Sequence, residues 1–319
     1  MATTDAGQPE ITERREVPET RAWRMPMRVF RPSEWLLVIY FFFVAWRGAV
    51  AGAPLDPWKL RGGLILAGLV LLFLLARAEY RSGSRLLSIV RDWLPAPLLL
   101  VAYWAVDWPV SRAYQTRLEL AWLQSDRMLL NHWGGKALIE YFGRPLPFLL
   151  EACYSLLYAI PPASLGILYL CRRRNRVDRF LFTLLLGVLT TYLLLPLTPT
   201  RSPRIAFPGE DLPSFTTPFR RLNMWLLDHA DIQTSVFPSG HVTVGFSAAF
   251  GMLLALPERR RIGLTIAAVA IAVAVVTVYG RYHYAADGVA AIAVSLLAYA
   301  GGAFLYPALR PWTSGKRLA

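Results

Sequence analysis

Eight apolar runs, separated by polar connections, decide what this chain can fold into. They fall at about Ser33–Val50, Gly62–Ala76, Leu94–Val106, Leu146–Cys171, Phe180–Leu197, Val236–Leu256, Ile262–Gly280 and Asp287–Pro307. A helix needs roughly 20 residues to cross about 30 Å of hydrocarbon, and it must satisfy its backbone polar groups internally while doing so. Such runs, in a chain that is 55% hydrophobic with mean hydropathy +0.39, predict an all-α polytopic membrane helix bundle of about eight transmembrane helices. The second and third runs are short, which leaves six spans as the fallback. Residues 33–309 form the expected bundle. Residues 1–32 are expected to be a disordered basic cytoplasmic tail and 310–319 a short cytoplasmic one. No apolar core follows a short basic start, so the first thirty residues do not read as a cleaved signal peptide.

Arginines supply the orientation. They cluster before the first run (Arg14, Arg15, Arg21, Arg24, Arg28, Arg31), between the second and third (Arg77, Arg81, Arg85, Arg91), after the fourth (Arg172, Arg173, Arg174, Arg176, Arg179) and after the sixth (Arg259, Arg260, Arg261), with Arg310, Lys316 and Arg317 at the end. Eight spans put every cluster on one side, which the positive-inside rule makes cytoplasmic, together with both termini. Loop arginines beside an anionic leaflet account for the net charge of +13, and with no recognition motif in view a nucleic-acid partner is not expected. The partners expected are the membrane and a lipid phosphate. Oligomeric state is not written in the sequence. Cys153 and Cys171 lie near opposite ends of one predicted helix, too far apart to bridge.

Two short strings carry chemistry: Pro238-Ser239-Gly240-His241 and Arg281-Tyr282-His283-Tyr284-Ala285-Ala286-Asp287. They hold two of the four histidines, 42 residues apart. In the first, a Pro-Ser-Gly turn opens a helix, whose free N–H groups form an anion site beside a histidine. In the second, His283 and Asp287 are four apart and share a face if helical, so the carboxylate can orient the imidazole. The loop Thr198–Ser235 begins with Arg201 and Arg204, and its prolines rule out a continuous helix through its first half. Antiparallel spans bring all three segments to the non-cytoplasmic face. Two imidazoles, a carboxylate and arginines suit in-line phosphoryl transfer, in which one imidazole attacks phosphorus and the other protonates the leaving oxygen. A nucleophile that must be neutral and an acid that must be charged imply a bell-shaped pH dependence. Each piece has a plainer reading: an incidental helix-start histidine, a structural His–Asp pair, and arginines that snorkel. Two His and one Asp make a weak zinc set, so no metal and no cofactor are expected.

At these residues the chain resembles the type 2 phosphatidic acid phosphatase superfamily. Pro238–His241 matches its second motif in full, and His283 with Asp287 matches the end of its third. The resemblance implies His283 as the nucleophile that becomes phosphohistidine, Asp287 as its orienting carboxylate, His241 as the general acid, and Ser239 and Gly240 as phosphate binders. Val276 and Thr277 stand where the third motif carries Ser-Arg, so that arginine is missing and Arg281 is the candidate replacement. The first motif, Lys and six residues before Arg-Pro, is absent in strict form. Arg201 and Arg204 occupy its place, with Arg204 preferred. The Arg-Tyr-His-Tyr form and the long 107–145 segment look similar to the inositol phosphorylceramide synthase-like transferases of the membrane branch.

The function expected is therefore an integral membrane phosphatase that hydrolyses a phosphate or pyrophosphate lipid at the outer leaflet. Transfer of a phosphoryl headgroup to a lipid alcohol is the alternative, and a non-catalytic lipid binder or transporter the alternative of another class. Within 107–145, Ser111–Leu130 mixes leucines with Arg117, Glu119 and Asp126 and is expected to form an amphipathic interfacial helix. Glu151, Asp107 and Arg47 are intramembrane or rim charges whose readings divide between lining an acceptor pocket and plain ion pairing. His132 and His229 read as loop histidines.

Overall fold

The computed structural model of the protein describes residues 29–50, 55–106, 114–232 and 235–313. Most of the expected N-terminal tail, part of the C-terminal one, and Asp107 lie outside the described residues. Among the described residues, seven helical stretches are long and apolar enough to cross a membrane: Pro32–Val50, Gly62–Ser82, Arg85–Val106, Pro145–Leu170, Arg174–Leu197, Pro257–Tyr279 and Ala285–Leu309. The eighth apolar helix, Gly240–Ala255, has 16 residues. At 1.5 Å per residue it is about 24 Å long, short of the ~30 Å hydrocarbon core. The sequence places this run from Val236, but the chain turns through Pro238 and Ser239 before the helix opens.

Helices are numbered here as α1 (Pro32–Val50), α2 (Leu55–Ser82), α3 (Arg85–Trp93), α4 (Pro95–Val106), α5 (Thr116–Arg127), α6 (Gly135–Glu140), α7 (Pro145–Leu156), α8 (Ile160–Leu170), α9 (Val177–Leu194), α10 (Pro203–Ala206), α11 (Pro218–Ala230), α12 (Gly240–Ala255), α13 (Arg260–Tyr279), α14 (Ala285–Ala300) and α15 (Tyr306–Thr313). At the centre, α12 packs against α9, α13 and α14, and α9 packs on its other side against α1. Small residues allow this closeness, since helices in lipid associate through packing rather than through a hydrophobic drive. A Cβ on Gly187 of α9 would collide with the Ser247 side chain of α12, and one on Gly245 of α12 would stand 2.9 Å from the Ala270 Cβ of α13. Around α9 the core gathers Leu37, Phe41, Phe180, Leu184, Val188, Leu165 and Met252.

The two ends of the bundle differ in chemistry. At the arginine-rich end, Arg91 donates to Glu34 (Nε–Oε1 2.8 Å) and to Glu79 (2.7 Å), Arg174 donates to Asp92 (2.6 Å), and Arg176 and Arg173 both reach Glu258. Arg31 pairs with Asp92 and Glu79. Arg31, Arg91, Arg173, Arg174 and Arg176, which read from sequence as loop charges beside the leaflet, are thus ion-paired clasps. The opposite end carries α5, α6, α10 and α11. There α5 takes the place of the expected amphipathic segment and exposes Leu118 and Leu120 while burying Glu119, Leu123 and Asp126. Its carboxylates point into the protein and part of its apolar surface points out.

Candidate active site

The α12 helix opens at the Pro-Ser-Gly turn because Ser239 is its N-cap, with Oγ accepting from Val242 N at 3.3 Å. A hydroxyl at this position satisfies one of the orphan N–H groups of a helix start. Ser239 N in turn donates to Asp287 O at 3.1 Å, so the two motif strings are joined through backbone. His241 follows in the first turn of α12. His283 sits between the end of α13 and the start of α14, where its N–H and that of Tyr282 both donate to Thr277 O. His283 is therefore not on a shared helical face with Asp287, as the spacing suggested. Asp287 lies in the first turn of α14 and its Oδ2 accepts from Tyr284 N (3.0 Å) and faces His283 Nδ1 (3.1 Å). One carboxylate oxygen both caps the helix and orients the imidazole.

The hydrogen bonds fix the tautomers of both rings. His283 Nδ1 lies 3.0 Å from the carbonyl of Val236 as well as 3.1 Å from Asp287. A carbonyl only accepts, so Nδ1 carries the proton and the Nε2 lone pair is free in the neutral ring. That lone pair faces His241 Nδ1 at 3.4 Å, with ring centroids 5.6 Å apart. On the far side of His241, Nε2 meets Tyr154 OH at 3.0 Å and Tyr158 OH at 3.3 Å, and the Tyr154 ring stacks on the imidazole at 4.7 Å. Since the His283 Nε2 lone pair can only accept, Nδ1 of His241 holds the proton between the two rings, and its Nε2 faces the two hydroxyls. The result is a directed chain: Asp287 carboxylate, His283, His241, tyrosine hydroxyls.

The arginines are placed around this pair and each is engaged by a carboxylate. Arg201 binds Glu119 through its backbone N (2.6 Å) and Nη2 (2.7 Å) and lies over the Tyr114 ring. Arg204 binds Asp228 (2.7 Å), stands 3.8 Å from Asp231, and leaves a buried Nε without a hydrogen bond among the described residues. Arg204 N also donates to Arg281 O, which brings the loop of the 201–204 arginines onto the His283 string. Arg281 is fully buried in a left-handed backbone conformation (φ 66°), 3.5 Å from Asp126 Oδ2. Its three guanidinium nitrogens have no hydrogen bond among the described residues. Burial, opposed by the Ala285 N–H and by Arg281, pushes the Asp126 carboxyl up to about 7. Burial likewise works against the Arg281 charge, with Asp126 opposing it. Ser239 is buried, and Gly240 lines the cavity described next.

An apolar chamber of about 440 Å³ lies beside His241, between α4, α8, α9 and α12. Its walls include Leu99, Leu165, Leu184, Leu185 and Val244, and its polar rim is His241, Asp231, Tyr103, Tyr158 and Tyr192. Leu100, Trp104 and Tyr158 are exposed and mark its side opening. Asp231 accepts from Tyr103 OH and from Ile232 N. Burial pushes its carboxyl up, with Tyr103, His283 and Arg204 opposing.

Several of these residues escaped the sequence reading. Tyr154 and Tyr158, four apart in an apolar run, gave a legible signal as a polar stripe on one helix face. Asp231, Asp126 and Glu119 gave none beyond their charge. Glu151 proves to be a buried strut: it accepts from Asn223 (2.7 Å), Tyr282 OH (2.8 Å) and Arg220 (3.1 Å) and does not line the chamber. His229 stacks on Trp225 at the end of α11. Among the described residues there is no group of three His, Cys, Asp or Glu side chains that could hold a metal ion. Residues 127–301 match the family model described as the PAP2 superfamily. No curated protein and no solved structure matches the chain.

Proposed function

Because the chain belongs to the PAP2 superfamily, we propose that it is an integral membrane phosphatase acting on a lipid phosphate through a phosphohistidine on His283. The observation that carries this reading is the tautomer-fixed pair: His283 Nε2, held by Asp287 and Val236 O from behind, faces the Nδ1 proton of His241 at 3.4 Å. A phosphoryl group enters by parting this contact. His283 Nε2 forms the bond to phosphorus as the P–O bond to the lipid breaks, and the leaving oxygen takes the Nδ1 proton of His241, whose ring is imidazolium beside the bound phosphate and is left neutral with its remaining proton on Nε2 facing the tyrosine hydroxyls. Asp287 offsets the positive charge that grows on the His283 ring. Water then attacks phosphorus as the His283 N–P bond breaks, gives its proton to His241, and phosphate is released. The peptide N–H groups at the start of α12 bind phosphate oxygens, as does Arg204 once it exchanges Asp228 for the substrate. Arg201 and Arg281 add positive potential from behind their carboxylate partners.

The bundle and the chamber beside His241 support a lipid as the substrate, since a soluble phosphate ester has no use for an apolar wall next to the acid. By the positive-inside rule the arginine-rich end is cytoplasmic and the site lies on the other face. Transfer to an alcohol in place of water is the second reading, and the enclosed apolar space at His241 favours it. The test is phosphate release from a lipid phosphate in detergent micelles, with acid-labile, base-stable phosphate followed on the protein. His283→Ala should abolish both, with a fall in turnover of about 10³-fold or more. His241→Ala should slow turnover. A His283→Ala protein that folds and retains turnover would refute the reading.

A further inference from the structure

We propose that Glu151 is a positioning residue for the nucleophile, a buried carboxylate that fixes His283 through the hydroxyl of the preceding residue, Tyr282. The inference rests on the phosphohistidine reading of His283 and names what holds that ring at its set distance from His241. Glu151 stands on α7, more than a hundred residues before either histidine, and is 1% exposed. Its Oε2 accepts from Tyr282 OH at 2.8 Å and from Asn223 Nδ2 at 2.7 Å, and its Oε1 accepts from Arg220 Nη1 at 3.1 Å, except that His241 lies nearer in sequence than His283. Arg220 reaches past the carboxylate to Gly280 O at 3.2 Å and lies over the Tyr282 ring, 5.5 Å from its centroid. The buried pair thus grips the 280–282 turn at two points, one on its backbone and one on a side chain.

That turn carries His283 out of α13. Arg281 within it holds a left-handed conformation (φ 66°), which persists only where the surroundings over-determine the backbone. Tyr282 and His283 hang from the helix end by one oxygen, since both N–H groups donate to Thr277 O. The Glu151 clamp supplies a second anchor. The same face of α7 reaches the other ring. Tyr154, three residues on, packs against the Tyr282 ring at 4.9 Å and presents its OH to His241 Nε2 at 3.0 Å. One helix face is therefore a ruler for the 3.4 Å contact between the imidazoles. An apolar side chain at 151 would fill the space without fixing where Tyr282 points, because hydrogen bonds are directional and apolar packing is not. Attack on phosphorus tolerates little error, and a misplacement of about 1 Å by a change remote from the chemistry costs about 10²-fold.

The test is single-turnover formation of acid-labile phosphate on the purified full chain in detergent micelles, followed against the concentration of a long-chain alkyl phosphate, with thermal unfolding of each variant. Tyr282→Phe removes the hydroxyl and leaves the ring and the Glu151–Arg220 pair in place. It should lower the saturating rate of phosphoenzyme formation about tenfold, the worth of one charge-assisted hydrogen bond, and leave the half-saturating concentration unchanged. Glu151→Asp keeps a counter-charge for Arg220 but withdraws the carboxylate by one carbon, and its rate should fall at least as far. The clamp acts on attack and not on protonation of the leaving oxygen. An aryl phosphate, whose leaving oxygen needs no proton, should therefore slow by the same factor as the alkyl phosphate. An undiminished rate in Tyr282→Phe, with or without a lower unfolding temperature, would make the contact merely structural and overturn the proposal. A raised half-saturating concentration as the sole effect, or a fall confined to the alkyl ester, would overturn it too. His283→Ala run alongside separates the two inferences. If that variant still takes up acid-labile phosphate, the phosphohistidine reading fails; if it does not and Tyr282→Phe reacts normally, positioning by Glu151 alone is refuted.

Discussion

Asp287→Asn is the most informative single change at the site, because the structure fixes how large its effect should be. One carboxylate oxygen, Oδ2, accepts from both Tyr284 N and His283 Nδ1. The other, Oδ1, is buried without a hydrogen bond among the described residues. An asparagine placed with its carbonyl where Oδ2 stands keeps both contacts, and its NH2 group displaces no bonded neighbour. The Nδ1–H tautomer of His283 survives too, since the Val236 carbonyl at 3.0 Å holds that proton independently. Only the charge is lost. A hydrogen bond to a charged group contributes about 1.5–3 kcal/mol and a neutral one about 0.5–1.5. The difference of about 1–2 kcal/mol falls on the step that makes the ring positive, and at 1.36 kcal/mol per decade it predicts a fall in kcat of roughly 5- to 30-fold. KM should move little. The assay is steady-state phosphate release from a lipid phosphate in micelles, with thermal unfolding of the same preparations as a folding control. Loss of 10³-fold or more from Asp287→Asn with unchanged unfolding would show that Val236 O does not hold the tautomer, and the directed chain deduced from it would fail.

Tyr154→Phe keeps the ring stacked on His241 and removes the hydroxyl at 3.0 Å, leaving Tyr158 at 3.3 Å as the donor to Nε2. About 1 kcal/mol of tautomer control is lost, so kcat should fall several-fold and its pH profile should shift, which a merely structural ring would not cause. Asp126, pushed up to about 7 from an ordinary 3.8, binds its proton more tightly in the folded protein. Its contribution to stability is complete below about pH 4 and is lost as pH rises through about 7. The unfolding temperature in micelles should therefore decline between pH 5 and 8, and Asp126→Asn should remove that component of the slope even though it leaves Arg281 without its counter-charge. An unchanged slope in the variant would remove Asp126 from the account.

Much of the fold was legible because hydrocarbon imposes a length on every helix. All eight apolar runs are helical, the fourth divided into α7 and α8, and the one that fell short, α12, did so where Pro238 and Ser239 made a turn that the hydropathy pattern could not register. The histidine strings were legible for a different reason: the residue types needed to attack phosphorus and protonate oxygen are few, and here they stood close to helix ends. What escaped was everything that depends on which side chains meet across the bundle. Glu119 and Asp126 read as the polar face of an interfacial helix, yet they turn inward, Glu119 onto the partly exposed Arg201 and Asp126 toward the fully buried Arg281, which needs a counter-charge away from water. Glu151 read as open between a pocket wall and an ion pair, and only the arrival of Asn223, Arg220 and Tyr282 from distant segments decides for the pair. The arginine clusters read as membrane-surface charges, whereas Arg31, Arg91 and Arg174 bridge helices through Glu34, Glu79 and Asp92.

A single face of α5 reaches every string that builds the site. Glu119 grips Arg201, Trp122 stacks on Phe237 at 5.0 Å and touches Tyr284, and Asp126 takes the Ala285 N–H while facing Arg281. These positions, three and four apart, succeed one another along the helix like teeth on one side of a clip. Yet α5 ends at Arg127, where the stretch shared with the family begins, and α4, a wall of the chamber, lies earlier still. The shared stretch alone therefore leaves the candidate site unclasped. Exchanging the preceding hundred-odd residues between relatives would retune substrate choice and imidazole alignment together, without altering one residue of the family motifs.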